Sequence, residues 1–376
     1  MKIFRIVFFN AMLCCIGAFL SVGCAVQFDR YGLEGVRFVL DRPIASPFER
    51  SARKPVRCNG APFVRRPTEG EDTLIDVVHE MNFEGEALRL ELQVSNYLYR
   101  ATLASLARCD FDDLEEISMY YQTFTEQPAM IDFYDRILSP LREIRQQRAF
   151  DDATFARFIV RFVQSFGYCD QITGAPKPPV ATVVEGCGDC DEKSVLLAGL
   201  LAAENYDVAL FVFDGHMAVG LGTEGEGFSG TDYLYAEATV VTRVGLPDNM
   251  LVTKPLLSLI PIGTGTLRIK PTDSDARIEE IAKEVLSKWD SHKGNINDAS
   301  ISRFSGIQIS MKDAESAKAS ILRHTTRLSH SEKMYLVYAC ILKYIIYSPH
   351  SEADTLKWLE EMTAWSLKLE AGSNAD

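Results

Sequence analysis

The sequence predicts an α+β fold, and three observations carry that reading. A helix-spaced apolar run (Phe155, Phe158, Ile159, Phe162, Val163) is followed, after a loop, by a second apolar run from Val195 to Ala203. Three strand-like runs come next, at Asp207 to Phe213, His216 to Leu221 and Tyr233 to Val241. From about residue 275 onward the pattern is helical alone. Segregated helices and strands of this kind mark α+β architecture. With 47% hydrophobic and 24% charged residues the chain can bury a real core, which excludes disorder over most of its length. A formal net charge of -13 repels phosphate backbones and excludes nucleic acid as the natural partner.

In chain order, the first element is a targeting segment. Lys2 and Arg5 precede an apolar run from Ile6 to Cys24, which is the layout of an export signal over residues 1–24. Its end, Leu20-Ser21-Val22-Gly23-Cys24, resembles a bacterial lipoprotein signal, and that resemblance makes Cys24 the lipidated residue. An ordinary cleaved signal and an uncleaved single-span anchor are the alternatives, and all three export the rest of the chain. Residues 25–70 are rich in Pro and Arg (Pro43, Pro47, Pro55, Pro62, Pro67) and read as an extended linker with one short strand at Val36 to Leu40. The basic cluster Arg50, Arg53, Lys54, Arg57, Arg65 and Arg66 reads as a solvated part of that linker.

Residues 71–150 read as mixed and mostly helical. Leu88, Leu90, Leu92 and Val94 alternate as in a strand, while Leu98 to Leu106 and Met130 to Ile144 have helical spacing, the latter despite Pro140. Residues 151–270 are read as the domain that carries the chemistry. Asp151 and Asp152 open its first helix, where acidic residues complement the helix dipole. Asn205 is placed to close the second helix in a left-handed conformation. In the C-terminal region, residues 271–376, helices are expected at Ala276 to Trp289, Lys312 to Arg323, Ser331 to Tyr347 and Glu352 to Leu369.

The chemistry is concentrated in Glu185-Gly186-Cys187-Gly188-Asp189-Cys190 and the strands after it. A thiol at a helix start feels the positive end of the dipole and unpaired amides, which favour thiolate and can stabilise an oxyanion. A thiolate nucleophile needs a base, and the base needs an orienting group. His216 opens a strand after Gly215. A hairpin turn centred between Gly225 and Phe228 sets His216 opposite Glu237, within side-chain reach. A carboxylate beside an imidazole fixes its tautomer and stabilises the imidazolium.

Several separate segments agree in order with one family. Phe162-Val163-Gln164-Ser165, Gly188-Asp189-Cys190-Asp191-Glu192-Lys193-Ser194-Val195-Leu196-Leu197, Tyr206-Asp207-Val208-Ala209-Leu210, Gly215-His216-Met217-Ala218-Val219-Gly220 and Tyr235-Ala236-Glu237-Ala238-Thr239 together resemble the bacterial and archaeal transglutaminase-like superfamily. The resemblance covers roughly residues 155–245. It implies a papain-like α+β core, with a Cys-bearing helix packed on an antiparallel sheet that bears the His and the acid. It also implies a catalytic set of Cys190, His216 and Glu237, no cofactor and no metal, and a protein or peptide substrate in the cell envelope. The chain departs from the family at Cys187, at Asp191-Glu192 and at Ala238. A partner-binding scaffold on the same fold is the alternative function.

Cys187-Gly188-Asp189-Cys190 also spells C-x-x-C, which admits a redox pair or, with His216, an incomplete zinc set. Cys187 can instead form a disulfide, either with Cys190 or with Cys169. Glu185, Asp189, Asp191 and Glu192 crowd the thiol. As helix caps they are bland; as charges they oppose the thiolate.

Overall fold

A strand needs a neighbour for its backbone groups, and in the computed structural model each expected strand finds one. The structure describes residues 37–39, 72–106, 121–125, 127–169, 176–246, 256–304, 306–348 and 350–372. The export signal with Cys24, the remainder of the 25–70 linker and its arginines, and Cys58 and Cys109 lie outside those residues. Strand β1 (Arg37–Val39) falls within the short strand expected there and pairs in parallel with β10 (Gln308–Ser310).

β2 (Leu74–Phe83) and β3 (Glu86–Ser95) form an antiparallel hairpin. Glu84 and Gly85 turn it with positive φ at both positions, which suits the right-handed twist of the two strands. Leu90, Leu92 and Val94 are buried, as their alternation requires. Helix α1 (Asn96–Leu106) follows directly. The first third of the 71–150 region is thus a hairpin whose second strand carries the expected alternation, and helices follow it.

Helix α2 (Pro128–Arg148) runs through Pro140, and α3 (Asp152–Gln164) is capped by Asp151, whose carboxylate accepts from Thr154 N at 2.7 Å. Its stripe of Phe155, Phe158, Ile159, Phe162 and Val163 is wholly buried. Two-residue strands β4 (Gly167–Tyr168) and β5 (Cys187–Gly188) pair in parallel around helix α4 (Pro179–Glu185). Helix α5 (Cys190–Ala203) is buried on every face from Cys190 to Leu201, as expected of a central helix. It packs on α2, α3 and the main sheet. Asn205 is left-handed just beyond its end, with φ 66°.

The main sheet contains β6 (Val208–Phe213), β7 (His216–Gly222), β8 (Tyr233–Ala236) and β9 (Leu256–Ile262) in the order β8-β7-β6-β9, antiparallel throughout. Two features differ from expectation. β9 was not foreseen, and β8 ends at Ala236 instead of running to Val241. The hairpin register differs as well. Val219 pairs with Ala236 and Gly222 with Tyr233, so the reversal centres on Gly227 and Phe228. On that register the position opposite His216 is 239, two residues beyond Glu237. The cause is local: a Cβ at Gly227 would lie 2.3 Å from Thr231 O, so only glycine permits this tight reversal into the 3₁₀ turn at Phe228–Gly230.

The C-terminal region builds its own apolar core from α6 (Asp273–Lys293), α7 (Asp298–Phe304), α8 (Ala314–His324), α9 (His330–Tyr347) and α10 (Glu352–Glu370). Thr272, Asp313, Ser329 and Ser351 cap four of these helices through their side chains, which fixes the starts. The fold is thus α+β, an antiparallel sheet with helices against it and a C-terminal helical region. Among the described residues no helix is long and apolar enough to cross a membrane.

Candidate active site

Cys190 is the first residue of α5 and is only 2% exposed. Asp189 precedes it as N-cap. The Asp189 side chain accepts from Asp191 N and Glu192 N, while Glu192 Oε2 accepts from Asp189 N at 3.0 Å. This reciprocal capping box uses two of the four acidic residues as helix caps. A third, Glu185, pairs with Lys177 Nζ at 2.8 Å. The fourth, Asp191, accepts from the Cys190 thiol at 3.2 Å. A carboxylate in this position opposes the thiolate directly. The cap engages the amides of Asp191 and Glu192 through the Asp189 carboxylate. Gly188 suits this close arrangement, because a Cβ there would press on Thr182 Cγ2 and Glu192 Cβ at 3.1 Å each.

Cys187 is bonded to Cys169, and Cys190 keeps its thiol. This pairing takes Cys187 out of the C-x-x-C redox pair and out of the zinc set. Cys340 is a thiol within the C-terminal core, where burial raises its pKa.

Helix α5 is keyed to β7 beside the expected base. Ser194, one turn along α5 from Cys190, donates to Met217 O at 3.1 Å, and Met217 follows His216 in the strand. His216 Nε2 meets Glu237 Oε2 at 2.9 Å, with the imidazole 15% exposed and the carboxylate 3%. The His–Glu contact expected from sequence is present, although the ladder that was to create it is shifted. Glu237 lies just past the end of β8, and its side chain makes the connection.

The surroundings of Glu237 explain how a buried carboxylate remains charged. Tyr235 OH donates to Oε2 at 2.6 Å. Ala238 N, Thr239 N and Thr239 Oγ1 donate to Oε1 at 3.0, 2.8 and 2.6 Å. Burial alone would raise this carboxyl, but the His216 ring and the bonds from Thr239 and Tyr235 outweigh it and hold the pKa at about 2. Because Nε2 faces the carboxylate, Nδ1 is the ring nitrogen left for a second partner.

Two supporting residues were not singled out from sequence. Lys193 is fully buried, and its ammonium donates to Gln164 O, Phe166 O and Thr239 O at 3.3, 2.8 and 3.2 Å. Burial pulls its pKa down to about 7, against the Glu237 charge that raises it. Gln164 Nε2 donates to Glu237 O at 2.9 Å and to Thr242 O at 3.0 Å. A lysine just before the apolar run of a buried helix was the available signal for the first. The second had none beyond its place in the quoted Phe-Val-Gln-Ser segment. No family model, curated protein or solved structure matches this chain.

Proposed function

We propose that the chain is an exported thiol enzyme of transglutaminase-like type with a papain-like core, using Cys190 as nucleophile, His216 as base and Glu237 as the orienting acid. The observation that carries this reading is Glu237, a desolvated carboxylate held ionised and bonded to His216 Nε2. That contact supports a ring whose Nδ1 takes the thiol proton. The sulfur attacks an amide carbonyl, the imidazolium gives its proton to the leaving amine, and a Cys190 thioester forms. Water or an amine then releases the acyl group. Hydrolysis of peptide or protein substrates in the cell envelope is proposed ahead of cross-linking. The Cys169–Cys187 disulfide supports an oxidising compartment, with attachment to the membrane through lipidated Cys24.

A second reading, a partner-binding scaffold on the same fold, draws on the Asp191 carboxylate that accepts from the thiol. An iodoacetamide probe separates the two. The enzyme reading expects wild type to label rapidly at neutral pH, Cys190→Ala not at Cys190's position, and His216→Ala far more slowly. Equal labelling of wild type and His216→Ala would sink it.

A further inference from the structure

The side chains behind the Glu237 segment enclose a second site. A cavity of about 50 Å³ lies between α3, the 242–244 segment and the start of α10, and Arg157, Arg161 and Arg243 line it. At roughly 10–15 Å³ per water-sized centre, that volume suits about four such centres, the bulk of one small tetrahedral anion.

Arg243 points to the ligand. Its side chain is only 10% exposed. Its backbone is fixed by Arg243 N donating to Ile346 O at 2.9 Å. Nη1 faces Glu352 Oε1 at 3.9 Å. Nε and Nη2 are buried with no hydrogen-bond partner among the described residues. These two donors form one edge of the guanidinium and point the same way, which matches two oxygens of a single oxyanion. Thr242 and Gln164 also line the cavity, and Thr242 Oγ1 and Gln164 Oε1 are buried without a hydrogen-bond partner among the described residues. Unmet buried groups of this kind are costly, and one ligand with both acceptor and donor oxygens satisfies all of them.

The charge balance favours an anion. Besides three arginines, the lining holds Glu84, Glu352 and His350. Arg157 pairs with Glu352 at 2.8 Å and approaches Asp275 at 3.8 Å. Burial and the hydrogen bond with Asp275 push Glu352 well above the ordinary carboxylate range, against the pull of Arg157 and Arg243. Protonation within the Glu352–Asp275 pair lowers the negative charge that faces Arg157 and Arg243.

We infer that this cavity is a phosphate-binding site in which the Nε–Nη2 edge of Arg243 holds two oxygens, Thr242 donates to a third, and Gln164 Oε1 accepts from a protonated one. The site is separate from Cys190 and lies behind the segment that carries Glu237, to which Gln164 is also bonded. Free phosphate and the phosphate group of a monoester share this chemistry. The cavity size favours the free ion.

The test is a thermal-shift titration of the full chain with inorganic phosphate against chloride at matched ionic strength, with glycerol phosphate and acetate as further arms. Wild type is expected to show a saturable rise in Tm of roughly 3 °C, as is Cys190→Ala. Arg243→Lys keeps the charge but loses the fork and is expected to weaken phosphate at least tenfold. Thr242→Val, a milder change, is expected to weaken it severalfold and keeps the test decisive where the arginine variant fails to fold. Glycerol phosphate matching inorganic phosphate would assign the site to a monoester. No saturable phosphate shift in wild type, an equal shift with acetate, or unaltered phosphate affinity in both variants would overturn the inference.

Discussion

Glu237 and Glu352 are both largely buried carboxylates close to cationic partners, and their surroundings act on them in opposite directions. Around Glu237, backbone amides, two hydroxyls and an imidazole all donate, so the charged form is favoured despite burial. Around Glu352, a second carboxylate shares the same arginine, so one of the two is better protonated. Burial does not decide the charge of a carboxylate; the supply of donors does. The saturated site suits a fixed catalytic geometry, whereas the unsaturated arginine edge beside Glu352 suits a ligand.

That contrast can be broken in four places. The largest effect is expected for Glu237→Gln, which keeps the shape but removes the charge that orients His216. Alkylation of Cys190 should slow by about 10² to 10⁴, measured from the rate of iodoacetamide labelling. A decrease below threefold would show that the carboxylate does not serve the thiol.

The second is the acid limb of stability. Glu237 is held at about 2 against its ordinary 4.5, so its contribution is complete above pH 4.5 and disappears as pH falls through 2. That contribution is about 3 kcal/mol. Urea unfolding of wild type and Glu237→Gln should therefore converge between pH 5 and pH 2.

Lys193→Met comes third. It preserves the bulk of the side chain but strands the carbonyls of Gln164, Phe166 and Thr239. A loss of about 2–3 kcal/mol is expected in the same unfolding assay. A neutral result would mean that these carbonyls find other donors.

The smallest effect is expected for Glu352→Gln. A carboxyl whose folded pKa is raised destabilises the fold progressively as pH rises above its unfolded value. Because the lost attractions to Arg157 and Arg243 offset the relieved burial, replacing it should change stability by less than about 1 kcal/mol at pH 7, with the variant gaining on wild type as pH rises from 4.5 through 7 and holding level above that. This trend runs opposite to that of Glu237→Gln, and finding the two parallel would erase the comparison.

Elements with strong local signals were legible in the sequence. The stripe of α3, the alternation of β3 and the capped helices α8, α9 and α10 lie within a few residues of where their patterns place them. The start of α5 at Cys190 agrees with the expected thiol at a helix start. β9 was missed because Leu256 to Ile262 contains Pro261 and lies on the edge of the sheet, where its alternation is irregular. The hairpin register was misjudged because symmetry about the glycines ignores the tight reversal at Gly227. The His216–Glu237 contact survived because a glutamate side chain reaches past the strand end.

By itself, the amino-acid order determined the local elements and the chemistry they carry: a thiol at a helix start, a histidine opening a strand and an acid after the next strand. Periodicity and capping are short-range, so they can be read from neighbours in the chain. Only the tertiary structure decided that Cys187 bonds to Cys169, that Lys193 gathers three distant carbonyls and that one edge of Arg243 faces no protein partner among the described residues. These outcomes depend on how groups far apart in sequence are brought together or kept apart, where small displacements decide which partner each group finds.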